Sequence, residues 1–217
     1  IFALYNTSGT KLNPAEIRNA AFHENLIHLM IFHLTGEADV FKDEIDDATR
    51  QEVFQADFRS VCGSGKEPKR FAAMDMVERY LGYSRAPSLP GKEFKILSTS
   101  ACIRAYYQSV AGDDKPTDTA KEVVDVWMNA KEFYAETECG PWHEDRNGTL
   151  RWNRLRTTCS MIVTRLIMAS EIDKKSAIEV VSKLDNLLIL PGKQQTNIIW
   201  AFQAKTVVML LDLLSDY

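Results

Sequence analysis

Cysteine is scarce in this chain, and so is every pattern that depends on it. Cys62, Cys102, Cys139 and Cys159 stand 40, 37 and 20 residues apart, so there is neither a Cys-x-x-Cys pair nor zinc-ribbon spacing. Dispersed cysteines of this kind read as small buried hydrophobes in a reducing compartment. Long apolar runs are missing too: none is longer than Val207 to Leu211, which Asp212 follows, far short of the roughly 20 residues that span a bilayer. No segment has the charged head and apolar run of a signal peptide, which points to a cytoplasmic protein with no membrane partner. Excess positive charge is lacking, with a formal net charge of −4, which argues against a surface that binds nucleic acid mainly through phosphates but leaves room for a local basic patch. No repeat of regular period and no compositionally biased segment occurs. No alternation of polar and apolar residues is long enough for a central sheet.

What is present is helical periodicity. At 217 residues, 45% hydrophobic and 26% charged, the chain is long enough to bury a sizeable core. The apolar spacing predicts an all-α, multi-helix bundle of about eight helices. The first is expected from Pro14 to about Leu34, with Ile17, Ala21, Leu26, Leu29, Met30 and His33 on one broad stripe and Gly36 as its stop. Others are expected over about 48–61, 69–81, 93–110, 117–138, 150–170, 174–190 and 195–214. Val123, Val124, Trp127, Ala130 and Tyr134 are expected to face inward. The stretch 83–91 is the clearest loop and the best boundary candidate. Because the helices before it are too few to bury their apolar stripes alone, it is read as internal to a single helical domain covering 1–217, with 1–35 as motif and first long helix and 36–217 as bundle.

The opening twenty-three residues carry the densest local grammar. Asn13 can accept from orphan helix N–H groups, Pro14 needs no donor at the first helical position, and Glu16 can reach back to the cap. Gly9 sits where a turn often needs positive φ. Asn6 and the backbone of Thr7, Ser8 and Gly9 could donate to an anion, beside the helix N-terminus, and Arg18 could grip a phosphate with two N–H groups. Glu16 either caps the helix or holds Arg18 in place.

The segment Ile1-Phe2, Leu4-Tyr5-Asn6-Thr7, Gly9, Leu12 and Glu16-Ile17-Arg18-Asn19-Ala20 resembles one in the N-terminal domain of GmrSD-type modification-dependent restriction endonucleases, a domain similar to the ParB and sulfiredoxin fold. Two further stretches, Met74-Asp75-Met76-Val77-Glu78-Arg79-Tyr80-Leu81 and Trp152-Asn153-Arg154-Leu155, are similar to later helices of that family. The family's Asp-Gly-Gln-Gln-Arg catalytic run occurs nowhere in these residues, and the chain starts at Ile1 without an initiator Met. The resemblance therefore implies a prokaryotic fragment, the helical part that follows a ParB-like α/β portion absent here. It implies that Asn6, Gly9, Glu16, Arg18 and Asn19 touch nucleotide or brace the groups that do. It further implies that the complete protein uses nucleoside triphosphate and a divalent metal and acts on modified DNA, while no catalytic residue lies in this chain and its own activity is doubtful. The family's second, His-Asn-His nuclease domain needs several histidines, and His143 is the only one after His33.

Other side chains invite sharper readings. His23, His28 and His33 recur every five residues, stepping round a helix by about 140° each time, which argues against a shared metal site. Cys139 and His143 flank Pro141-Trp142, but Glu138, Glu144 and Asp145 beside them would raise a thiol's pKa and favour a structural role. Lys66, Lys69 and Arg70 follow a Gly-Ser-Gly turn without P-loop spacing. The basic helix segment holding Arg151, Trp152, Arg154 and Arg156, with Lys131 and Arg146 nearby, is the only place where arginines interleave with an aromatic, a combination that suits phosphate contact or base stacking. The alternative to a restriction protein is a helical protein-interaction or regulatory module without catalysis, which exposed aromatics on the Trp127 or Trp200 helices would favour, with a protein partner or a second copy as its ligand.

Overall fold

A computed structural model describes residues 12, 14–36, 57–58, 61, 71–85, 98–112, 115–137, 140–145 and 147–179. Its elements in chain order are α1 (Pro14–Phe22), α2 (Leu26–Leu34), α3 (Ala72–Arg85), α4 (Thr99–Ser109), α5 (Pro116–Phe133), β1 (His143–Asp145), β2 (Leu150–Trp152) and α6 (Arg154–Met168). Residues 57, 58 and 61 are also helical, as is 174–179. The fold is thus mostly helical, as the periodicity predicts. The rest of the helices expected over 48–61, 174–190 and 195–214, the starts of those expected at 69 and 93, and the loop beyond Arg85 lie outside the described residues.

The helix starts follow from local chemistry. Asn25, Ser98 and Asn153 hold extended backbone and accept from the N–H groups of His28, Ala101 and Arg156 at 3.0, 3.3 and 3.0 Å, each satisfying a donor the helix cannot. Pro116 opens α5, where its missing N–H costs nothing. Gly36 does stop α2: at φ 72 its N–H reaches the His33 carbonyl at 2.9 Å.

Three expected boundaries are corrected. The single helix over 14–34 is two, because Asn25 caps a new helix while its own N–H closes a turn on the Phe22 carbonyl at 2.9 Å. An Asn side chain that bonds its local backbone competes with helix continuation. The proposed stripe breaks with it: Ile17 and Leu26 are exposed, whereas Met30 and His33 are buried. The helix over 117–138 ends at Phe133, with Tyr134 as its cap. The helix over 150–170 begins only at Arg154, since Leu150–Trp152 pairs with His143–Asp145 as an antiparallel hairpin. Asn147 and Gly148 at the tip both have positive φ, 56° and 77°, the geometry that suits hairpin twist.

Two helices form the middle. α3 buries every residue from Ala73 to Tyr83 except Arg79, and α6 buries Leu155 through Thr164 without a break. They pack on each other, with α4 against α3 and α5 against α6. Gly82 lets α4 approach so closely that a Cβ there would meet the Ile103 backbone at 3.2 Å. Val123, Val124, Trp127, Ala130 and Tyr134 are all buried, as their spacing predicts. Trp127 is sandwiched between Phe58 at 4.3 Å and Trp142, stacked at 3.9 Å and 6°, and its Nε1 donates to Asp57 at 2.7 Å. The hydroxyls buried in α6 need no outside partner, since Thr157, Thr158 and Thr164 donate to carbonyls four residues back at 2.9, 3.0 and 2.7 Å. Among the described residues no helix is long and apolar enough to cross a membrane.

Candidate functional site

The densest chemistry in the described residues is a buried network that begins on α1. Arg18 donates from Nε to Glu78 Oε2 at 2.7 Å and from its terminal nitrogen to Asp75 Oδ1 at 2.6 Å. One turn of α3 supplies the acceptors, for residues three and four apart share a helix face, and Asp75, Glu78 and Arg79 are so spaced. Arg79 Nε donates to Asp75 Oδ2 at 2.8 Å, and Arg154, at the start of α6, reaches the same oxygen at 3.0 Å. Three guanidinium groups therefore surround two carboxylates on α3.

The network continues through neutral groups. Tyr107 on α4 donates to Glu78 Oε1 at 2.9 Å, His28 Nδ1 lies 3.1 Å from the Tyr107 hydroxyl, and His28 Nε2 lies 3.0 Å from the Asn19 amide. A phenol has one proton. With that proton on Glu78, a neutral His28 carries its own on Nδ1, donating to the Tyr107 oxygen. The other ring nitrogen, Nε2, faces Asn19 Oδ1 at 3.0 Å, an amide oxygen that accepts when that nitrogen carries a proton.

Burial and charge set the protonation states. Burial pushes the Glu78 carboxyl up, against the pull of Arg18 and the Tyr107 hydroxyl. Burial also acts on Asp75, but Arg79, Arg154 and Arg18 outweigh it and hold that carboxyl below its ordinary range. Burial would lower Arg18, yet Glu78 and Asp75 together raise it, so it stays charged. Burial, followed by the charges of Arg18 and His23, pushes His28 down to about 4 although Glu78 Oε1 is only 3.7 Å away. Glu78 is already engaged by Arg18, and the ring, at 0% exposure, is shielded from the solvent that would stabilise a charge.

Arg18 and Asn19 are thus brought together, but inside the protein. A phosphate on Arg18, which is 6% exposed, would have to displace two carboxylates. Glu16 is half-buried on the same helix. Asn6, Gly9 and the Asn13 cap lie outside the described residues.

The arginine segment near residue 151 is not one helical face. Arg151 and Trp152 are on β2 and Arg154 and Arg156 on α6. Arg151 is exposed, and Arg154 lies over the Trp152 ring at 5.6 Å while holding Asp75. Trp152 Nε1 donates to Thr157 at 3.0 Å. Arg156 turns inward, 3% exposed, and donates twice to the Gly140 carbonyl at 3.1 and 3.0 Å. Ser160 holds the Pro141 carbonyl at 3.0 Å and Asn153 N–H holds that of Trp142 at 2.9 Å, so this end of α6 anchors the turn before the hairpin. Lys131 pairs with Asp57 at 3.0 Å; Arg146, Lys66, Lys69 and Arg70 lie outside the described residues.

The three histidines also separate. His23 is exposed in the turn after α1, whereas His28 and His33 are buried on α2. Among the described residues no group of three or more His, Cys, Asp or Glu is arranged to hold a metal ion. Cys102 and Cys159 are buried thiols, the second pushed up to about 12 by burial; Cys62 and Cys139 lie outside the described residues. Trp127 is fully buried, so its helix lacks the exposed indole an interaction module would present there, and Trp200 lies outside the described residues.

Sequence reasoning missed Tyr107 and the role of His28, Asp75 and Glu78. A signal existed for the last two, since acidic residues three apart in a helix otherwise rich in buried apolar side chains need counter-charges. No family model, curated protein or solved structure matches the chain.

Proposed function

We propose that this chain is the helical portion of a GmrSD-like restriction or phage-defence protein whose complete form uses nucleoside triphosphate and a divalent metal to act on modified DNA. One observation supports the reading. The three stretches that resemble the family, far apart in sequence, meet at one carboxylate: Asp75 of the second takes Arg18 of the first and Arg154 of the third. Within this reading Arg18 and Asn19 brace the helix behind the nucleotide-handling segment, and Asn6 and Gly9 face the nucleotide. Arg151, exposed beside the Arg154–Trp152 pair, is the side chain free of the buried network that would meet DNA phosphate.

The test uses the complete gene product. Titration with a fluorescent nucleoside triphosphate and magnesium is expected to saturate, and modified DNA is expected to be cut in preference to unmodified DNA. Neither saturation nor cleavage would remove the proposal and leave the helical interaction module in its place. Arg151→Ala is expected to reduce the slope of log affinity against log salt by about one phosphate contact; an unchanged slope rejects the DNA-facing role of β2.

A further inference from the structure

We propose that the tip of the β1–β2 hairpin is a self-modification site, where attack by the Gly148 nitrogen converts Asn147 to aspartate and isoaspartate and the Asp145 carboxylate restrains the reaction. Asn147-Gly148 is the only Asn-Gly pair in the chain. An asparagine cyclises most readily onto a following glycine, which puts no side chain beside the attacking nitrogen. The fold leaves the pair open to reaction: both residues are exposed, and a Cβ placed on Gly148 would meet nothing within 4 Å. The reacting peptide is pinned by its own N–H, which donates to Asp145 Oδ1 at 2.7 Å.

The step balances with water alone. The Gly148 nitrogen gives its proton to hydroxide and bonds to Asn147 Cγ, and the side-chain nitrogen leaves as ammonia. Water then opens the cyclic imide at either carbonyl, giving aspartate in an ordinary backbone or isoaspartate with the chain routed through Cβ. Either product adds a negative charge, and isoaspartate lengthens by a methylene the loop that pairs Asp145 with Leu150. Asp145 opposes the first bond in two ways. It holds the N–H in a charge-assisted hydrogen bond, and its charge disfavours the amide anion that attacks. A carboxylate is too weak a base to remove an amide proton itself.

The test ages the full chain at mildly alkaline pH and reads digests by mass spectrometry with isoaspartate quantified. Asn147 is expected to convert ahead of every other asparagine, and more slowly in the folded chain than in urea. Asp145→Ala is expected to speed the folded chain about 5-fold, the worth of one exposed hydrogen bond, and to change the rate in urea far less. Conversion that begins at another asparagine refutes the site. A folded rate equal to that in urea, or one that D145A leaves unchanged or slows, overturns the restraint by Asp145. Should D145A lose the hairpin, Asp145→Asn decides, since it keeps the accepting oxygen and removes the charge. A rate above wild type supports the restraint, and a rate equal to or below wild type refutes it.

Discussion

Replacing Arg18 by Met keeps most of the side chain's apolar stem and deletes the guanidinium, leaving Glu78 at 0% exposure without its counter-charge. Breaking a buried pair from one side typically costs about 3–5 kcal/mol. Here the cost has a ceiling that depends on pH, because Glu78 can take a proton. Holding a carboxylic acid neutral at pH 7, when its ordinary value is 4.5, costs about 3.4 kcal/mol at 1.36 kcal/mol per unit. Asp75 keeps Arg79 and Arg154 and stays ionised. The sign follows from linkage: in the variant the folded Glu78 binds its proton more tightly than the unfolded chain does. Its contribution is therefore fully present below 4.5 and lost as pH rises. The difference in unfolding free energy between wild type and R18M should be about 3 kcal/mol at pH 7.5 and should shrink by about 2–3 kcal/mol at pH 4.5. Urea unfolding followed by tryptophan fluorescence and circular dichroism measures both. Glu78→Gln added to R18M should recover much of the loss at pH 7.5, since a neutral amide no longer needs the guanidinium. A difference below about 1 kcal/mol at pH 7.5, or one that does not change with pH, would refute the assignment of Arg18 as the counter-charge of Glu78.

Two smaller perturbations test the ends of the same helices. Ser170 sits at φ 57 beyond α6, its N–H on the Ile167 carbonyl and that of Glu171 on the Leu166 carbonyl at 2.9 and 3.0 Å; Ser170→Gly relieves the left-handed strain and should add about 0.5–1 kcal/mol, visible as a higher Tm. Tyr134 is fully buried and its hydroxyl has no hydrogen-bond partner among the described residues, so Tyr134→Phe should be neutral or stabilising by up to about 1 kcal/mol, and a loss of more than that in a melting experiment would reveal a partner for the hydroxyl.

Much of the fold was legible because local rules governed it. The inward set from Val123 to Tyr134, the stop at Gly36 and the buried thiols of Cys102 and Cys159 all follow from period, left-handed glycine and polarity. Where prediction failed, a local bond overrode an apolar period. Asn25 could be read either as a helical residue or as a cap, and the apolar residues on both sides hid the break between α1 and α2. The hairpin was signalled by Asn147-Gly148, but its strands are three residues long, too short for alternation to register.

The network around Asp75 illustrates a different limit. Arg18 read alone is a plausible phosphate ligand, because a guanidinium near a helix start suits an anion. Nothing local distinguishes that from an arginine whose anions are two carboxylates 57 and 60 residues later in the chain. Once those partners are known, the words Glu-Ile-Arg-Asn-Ala, Asp-Met-Val-Glu-Arg and Asn-Arg-Leu can be read together. Each supplies polar atoms that are costly to bury singly and tolerable together. Substituting any one strands the others, so a resemblance spread over all three stretches can persist through packing alone, whatever chemistry the complete protein performs. Packing alone can therefore account for the polar residues of all three stretches, and of the three arginines between 151 and 156 it is Arg151 on β2 whose side chain is exposed.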